Sequence, residues 1–537
     1  MTTTTADSGE LGATPLGEPP GGKGLKTGAL GMVSSLVIGV ASTAPAYSLA
    51  ATLGFVTFYV GVRSPAVMLL AFVPMLFIAA AYYYLNRADP DCGTTFTWVT
   101  RAIGPKTGWM AGWGILVTDL VVMPNLASVA GVYTFSLFGA HGIAADSSGF
   151  WVTFVGVAWL VIMTAICYIG IELSARTQVA LLGAEIVILV VFAVAALAKV
   201  YGGGIAHSIH PAWAWFDPFK IPSLGALSAG MLLAVFIYWG WDTAVTVNEE
   251  ARDTRRTPGR AALLATIVLL LIYVIVSTAA QAFHGPGFLT NHSDDVLGHL
   301  AKDVLGSPWD KLLIIAVLTS ASASTQTTVL PAARSSLSMA VHKAFPKRFA
   351  DIHPRFLSPG FSTLVFGAVA IVWYVGLTLI SPNDVLANSI LALGFGIAFY
   401  YGLTGFACVF YYRRHIFRSM KNFIFIGLAP LLGAVMLTIL FFVAIFYYSD
   451  PANSNTGNQA WFPALHFSFH IFHWHLYVKK GLGPPLVLGV GLLLIGVPLM
   501  VIWRLRHPEF FRRDREVAES VDAPAPPLTP GVTPVVD

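Results

Sequence analysis

Three carboxylates lie in stretches of this 537-residue sequence that are otherwise apolar: Asp119, Glu185 and Asp242. An ionisable group at membrane depth is costly and is functional by default. Such a carboxyl can take up and release a proton, which makes each a candidate coupling group. The structural alternative is a protonated carboxyl held by a neighbouring hydroxyl or carbonyl. Asp242 also closes the second of two helix-breaking segments set in apolar text. The first is Ser42-Thr43-Ala44-Pro45, and the second is Tyr238-Trp239-Gly240-Trp241. Pro45 removes one intrahelical hydrogen bond outright, and Gly240 lets another backbone approach. A membrane helix broken at mid-depth frees N–H and C=O groups that lipid cannot satisfy, so breaks survive only where they line a cavity or site. Breaks in corresponding positions of two halves point to a transporter's substrate site. A zwitterion there needs helix N-termini for its carboxylate and helix C-termini or unwound carbonyls for its ammonium. Ser42, Thr43, Ala44, Pro45, Tyr238, Trp239, Gly240 and Trp241 are therefore candidate substrate contacts. The indoles could line the pocket or pack on neighbours.

These residues need helices in a bilayer to position them. The chain is 56% hydrophobic and only 11% charged, against about a quarter charged in soluble domains. Twelve stretches are long and apolar enough to cross a bilayer: about 30–58, 64–85, 108–138, 150–171, 178–200, 224–247, 261–283, 309–333, 360–381, 386–412, 423–448 and 483–504. Of the 31 Lys and Arg residues, 24 fall in the loops and tails on the N-terminal side of that topology. The positive-inside rule then makes both termini cytoplasmic in a multi-pass protein of the cytoplasmic membrane. Residues 1–27 lack the apolar core of a signal peptide and are expected to be a disordered tail. A twelve-helix domain over 28–505 and a C-terminal tail over 506–537 follow. Spans 1–5 and 6–10, about 28–200 and 220–412, form candidate repeats. Each has an odd number of spans, so the second enters upside down. The extra helices cover 423–504. Cys92, Cys167 and Cys408 are too scattered for disulfides or zinc. The segment with His466, His470, His473 and His475 has pairs that could share a helix face and hold a metal; an interfacial helix is the plainer expectation.

Three loops carry a resemblance. Cys92-Gly93-Thr94-Thr95-Phe96, Arg101-Ala102-Ile103-Gly104-Pro105, then Gly108-Trp109 and Gly112-Trp113, resemble the first cytoplasmic loop of the amino acid–polyamine–organocation permeases. Phe236 to Asp242, with Asn248-Glu249-Glu250, Arg255 and Pro258-Gly259-Arg260, is similar to their sixth helix and next loop. Arg334, Met339-Ala340, Phe345-Pro346 and His353-Pro354-Arg355 resemble the loop after their eighth helix. The resemblance implies an all-α polytopic protein of the LeuT type. That fold is a 5+5 inverted repeat with broken helices 1 and 6, in which helices 1, 2, 6 and 7 rock against 3, 4, 8 and 9. It also implies secondary transport of amino acids or related amines.

By the same resemblance, Phe236 takes the place of an aromatic gate over the substrate. Glu185 stands where many proton-coupled relatives carry a helix-5 lysine, so the lysine mechanism cannot be carried over. Either protonation of Glu185 couples transport, or sodium binds between the first break and the hydroxyls of Ser320, Ser322, Ser324 and Thr325. The cytoplasmic cluster Arg252, Arg255, Arg256 and Arg260 with Glu249, Glu250 and Asp253 is expected to close an inner gate by ion pairs, or to be a solvated loop. No nucleophile elbow, metal motif or nucleotide loop supports an enzyme, and no cofactor beyond a coupling H+ or Na+ is expected. A channel does not need paired breaks, and a sensor would add soluble output domains. The expected activity is an amino acid permease, proton-coupled or an exchanger, with a polyamine or amine carrier or a sodium symporter as the alternative. Its partners would be the substrate and the bilayer, with no nucleic acid, as a monomer or homodimer.

Overall fold

The computed structural model describes residues 22–293, 295–380, 385–453, 468–471, 474–477 and 482–512. Among them, helices α1 (Met32–Ser42) and α2 (Pro45–Val60) form one interrupted rod, followed by α3 (Ser64–Ala88). A short buried helix α4 (Thr95–Ala102) leads into α5 (Pro105–Leu137), α6 (Phe150–Ile169) and α7 (Ile171–Gly202). The second interrupted rod is α8 (Leu224–Ile237) and the one-turn α9 (Thr243–Thr246). Then come α10 (Thr257–Asn291), α11 (Val296–Leu305), α12 (Asp310–Val341), α13 (Gly360–Ile380), α14 (Val385–Tyr411), α15 (Ala429–Tyr448), α16 (Leu492–Arg506) and α17 (Pro508–Phe511).

Among the described residues ten helical stretches are long and apolar enough to cross a membrane, and Leu224–Ile237 is a shorter apolar helix. One of the ten, Met32–Ala88, contains both the first broken rod and α3. The chain is therefore a multi-pass membrane protein. The reason these residues form helices is the one the bilayer imposes: every backbone group must be satisfied within the segment. Small residues then let helices close on each other. A Cβ on Gly156 would come 2.6 Å from the Ala127 carbonyl oxygen, and one on Gly131 2.4 Å from that of Val152, so α5 and α6 meet backbone to backbone.

Two packing groups emerge. The broken rods lie against α3 and α10, while α5 packs on α12, α6 and α13. Helix α7 touches both groups, meeting α1, α10 and α12.

Two expectations need correction. The histidine-bearing segment expected to be an interfacial helix contains an antiparallel hairpin, Ser468–Ile471 with Trp474–Tyr477, pairing His470 with His475. Aromatic and branched residues two apart favour a pleated ribbon, and helical spacing of the histidines concealed it. His466 and His473 lie outside the described residues. The tail expected to be disordered over 1–27 is ordered from residue 22: Lys23 is buried in ion pairs and Leu25 packs with Cys92 and Leu337. Residues 1–21 lie outside the described residues. Likewise, Phe510 and Phe511 of the expected C-terminal tail pack against Phe96 and Trp109.

Candidate transport site

The first break has a specific cause. Pro45 disfavours the right-handed helical region for the residue before it, and Ala44 turns into the left-handed region at φ 47°. That conformation costs a non-glycine residue about 1–2 kcal/mol. The freed backbone groups are all satisfied locally. The Ser42 carbonyl accepts from Ser324 Oγ at 3.0 Å, and the Thr43 carbonyl from Ser48 Oγ at 2.6 Å. At the N-terminus of α2, Ala46 N–H donates to Glu185 Oε1 at 2.7 Å and Tyr47 N–H to Ser320 Oγ at 3.2 Å. Ser320 Oγ in turn donates to the same Glu185 oxygen at 2.8 Å. Glu185 thus reaches from α7 to cap a half-helix, placing an acceptor oxygen at the positive end of α2. Its second oxygen has no hydrogen-bond partner.

The second break faces the first. Gly240 adopts φ +118°, and a Cβ there would lie 2.7 Å from the Ser42 carbonyl oxygen. Ser42 Oγ and Thr243 Oγ1 are 2.8 Å apart. The Ile237 carbonyl at the end of α8 accepts from Tyr273 on α10 at 2.7 Å. Phe236 meets Tyr47 edge-on, with ring centroids 6.4 Å apart, so two aromatics flank the paired breaks. Asp242 accepts from Tyr401 at 2.8 Å and Tyr400 at 3.1 Å. The Tyr400 hydroxyl also accepts from the Trp239 indole. Asp119 on α5 is buried, and its Oδ2 has no hydrogen-bond partner.

The structure thus brings Ser42, Thr43, Ala44, Pro45, Phe236, Trp239, Gly240 and Asp242 together, with Glu185 behind the first break. Tyr238 and Trp241 are buried in aromatic packing, Tyr238 against Phe72 and Tyr273, Trp241 against Tyr82 and Tyr401. The α12 hydroxyls divide their work. Ser320 serves Glu185, Ser324 serves Ser42, and Thr325 bonds its own helix at Ala321. Ser322 Oγ has no partner. Sequence reasoning missed Tyr400, Tyr401, Tyr47 and Tyr273. They are ordinary apolar-span tyrosines in the text, and only their partners across the fold set them apart.

At the end of the bundle that holds Glu249 and Glu250, the ion pairs are other than those expected. Arg334 clasps Glu250 with Nε at 2.7 Å and Nη2 at 2.8 Å. Lys23 Nζ pairs with Asp91 at 2.8 Å and with Glu249, and Arg101 pairs with Asp89. Among the described residues Arg252, Arg255, Arg256 and Arg260 make no ion pair; Arg255 instead donates to the Arg87 and Ala88 carbonyls. Glu249 and Glu250 are paired as expected and Asp253 is not, and the cations come from α12 and from the segment before α1. Linear proximity favoured the loop arginines; burial selects the cations that can reach inside. Burial works against the Asp91 carboxylate, yet Lys23, His342 and Arg101 hold it well below the usual range. Asp89 is pushed up to about 6 by burial, against the pull of Arg101.

Two facing helix breaks with buried carboxylates, inside a multi-helix membrane bundle, define a carrier. The chain matches the amino acid permease family over residues 27–469 and belongs to it. It is 28% identical over 342 residues to an uncharacterised transporter of Mycobacterium tuberculosis, covering 61% of this chain and 70% of that one. It is 23% identical to the low-affinity putrescine importer PlaP of Escherichia coli, covering 76% of this chain and 87% of PlaP. It is 25% identical to a putative arginine/ornithine antiporter of Escherichia coli, over 54% of this chain and 63% of the relative.

Proposed function

We propose that this protein is a secondary active transporter that moves amino acids across the cytoplasmic membrane by alternating access. The observation that carries this reading is the contact of the two breaks at Ser42 and Gly240, where unwound backbone and buried carboxylates meet. In this reading twelve helices cross the membrane, and the domain spans 28–505. Both termini are cytoplasmic, and the halves 28–200 and 220–412 are inverted repeats of the LeuT type. The two packing groups support it, because one group can rock against the other while each stays packed. The ion pairs at Arg334 and Lys23 and the buried breaks correspond to a state closed toward the cytoplasm. Asp119, Glu185 and Asp242 are the coupling groups, with a proton as the coupling ion. Glu185 joins the first break to α12, so its protonation would loosen Ala46 and Ser320 together.

A second reading, an amine without a carboxylate as substrate, has one observation in its favour. The backbone N–H groups of the α2 N-terminus are already engaged, with Ala46 on Glu185 and Tyr47 on Ser320. A substrate carboxylate finds no free donor there until Glu185 lets go, whereas an ammonium meets unpartnered oxygens on Asp119 and Glu185.

The test is uptake of a labelled panel of neutral and cationic amino acids and diamines into proteoliposomes, under a proton gradient and then a sodium gradient. Saturable amino acid uptake driven by protons supports the first reading. Uptake of diamines alone supports the second. Sodium dependence moves the coupling to the Ser320–Thr325 face of α12. No uptake or exchange of any member overturns both.

A further inference from the structure

On the outer face of the bundle, α5, α14, α15 and α16 enclose a groove of about 680 Å³. Its walls include Phe399, Leu403, Phe442, Leu494 and Val497. Thr438, a hydroxyl in the wall, donates to its own helix at the Ala434 carbonyl, 2.8 Å away. The interior is therefore without a free polar group to offer. One end differs. Lys106 and Thr107, in the first turn of α5, close the mouth beside Met110 and Met500. Lys106 is the one charged residue of the lining, and it makes no ion pair among the described residues.

The groove has the dimensions of one leaflet. Along the last helix its wall runs from Val490 to Met500, which at 1.5 Å per residue is about 15 Å. That is half of a hydrocarbon core of about 30 Å. The charged end also sits at the interface level. Trp109 and Trp503, which pack in the same cluster as Met110 and Met500, donate to the Ala344 and Lys343 carbonyls at 2.9 and 3.1 Å. Trp109 is buried within the protein, whereas Trp503 is partly exposed beside the mouth, as an indole at the headgroup region is.

We propose that this groove is a binding site for an anionic phospholipid of the cytoplasmic leaflet. An acyl chain fills the apolar trough, and the phosphate sits at Lys106, where first-turn N–H groups of α5 have no intrahelical acceptor. The leaflet assignment rests on the cytoplasmic placement of the α5 start proposed above; the site itself does not depend on what is transported. A bound lipid here would fasten α16 to α5 and α14, and so brace the packing group that stays still during rocking.

Native mass spectrometry of the full-length protein, titrated with phosphatidylglycerol or phosphatidylcholine in detergent, tests this. The wild-type chain is expected to retain one phosphatidylglycerol in preference to phosphatidylcholine. Lys106→Ala should cut that preference about fivefold, the effect of one lysine near an anionic surface. Lys106→Arg should keep it. Leu494→Trp, which fills the trough at a lipid-exposed position, should abolish retention of either lipid. Equal retention of both lipids, unmoved by Lys106→Ala, overturns the proposal. So does a dimer that Leu494→Trp dissociates, since the groove would then hold a second copy. Wild-type uptake by Lys106→Ala separates failure here from failure of the transport reading.

Discussion

At the scale of single residues, Glu185 carries the most connections for its cost. Its one bonded oxygen serves both a half-helix N–H and the Ser320 hydroxyl. Glu185→Gln keeps an acceptor oxygen but cannot change charge, so the protein should fold while uptake loses its dependence on a proton gradient. Glu185→Ala should cost about 1–3 kcal/mol of stability, because it strands buried donors; thermal unfolding in detergent would show the difference. Asp89 gives a pH signature of its own. Its folded value is about 6, above its unfolded one, so the stability it contributes is full in acid and is lost as pH rises through 6. The slope is at most about 1.4 kcal/mol per pH unit, one proton's worth. Asp91 has the opposite sign, its share fading only as pH falls below the ordinary carboxylate value. Unfolding midpoints should therefore fall as pH rises from about 4 to 6 and level off above, and Asp89→Asn should flatten that fall.

At the scale of elements, the two breaks are held open by different means. The α1–α2 break is enforced by Pro45 and tolerated by Ala44 in a strained conformation. Ala44→Gly should relieve that strain, raising stability by about 1 kcal/mol without moving the break, whereas Ala44→Val should destabilise. The α8–α9 break depends on contact. Gly240→Ala puts a methyl 2.7 Å from the Ser42 oxygen, so the rods must part. Uptake should drop at least tenfold while the membrane-inserted protein persists, read by transport rate against the amount of folded carrier.

At the scale of the whole molecule, the end of the bundle at Glu250 is held by an electrostatic clasp. Arg334 on α12 holds Glu250 beyond α9, both almost wholly buried. Removing one partner leaves an uncompensated charge, at a cost of about 3–5 kcal/mol. Arg334→Met should therefore destabilise strongly, and adding Glu250→Leu should recover much of the loss. The Lys23 clasp is buried as deeply, but its cation sits on the irregular segment before α1 rather than on a helix. Lys23→Ala should expose the Cys92 thiol, now buried beside Lys23 at 3.6 Å. Its labelling by a membrane-permeant maleimide should then rise severalfold, with transport retained.

The membrane-length apolar helices, both breaks and the family were legible in the sequence, because lipid allows one local solution, the helix, and exceptions to it are conspicuous. Pro45 and Gly240 announce themselves by backbone chemistry that acts within a few residues. The partners do not. That Glu185 caps α2, that Tyr400 and Tyr401 hold Asp242, and that Lys23 and Arg334 answer the acidic turn are contacts between positions 80 to 230 residues apart. Nothing local specifies such a pairing. It is set when helices pack and each buried polar group takes the partner that geometry brings within reach. The hairpin teaches the same at shorter range: histidine spacing suited a helix, and strand pairing of 468–471 with 474–477 overrode it.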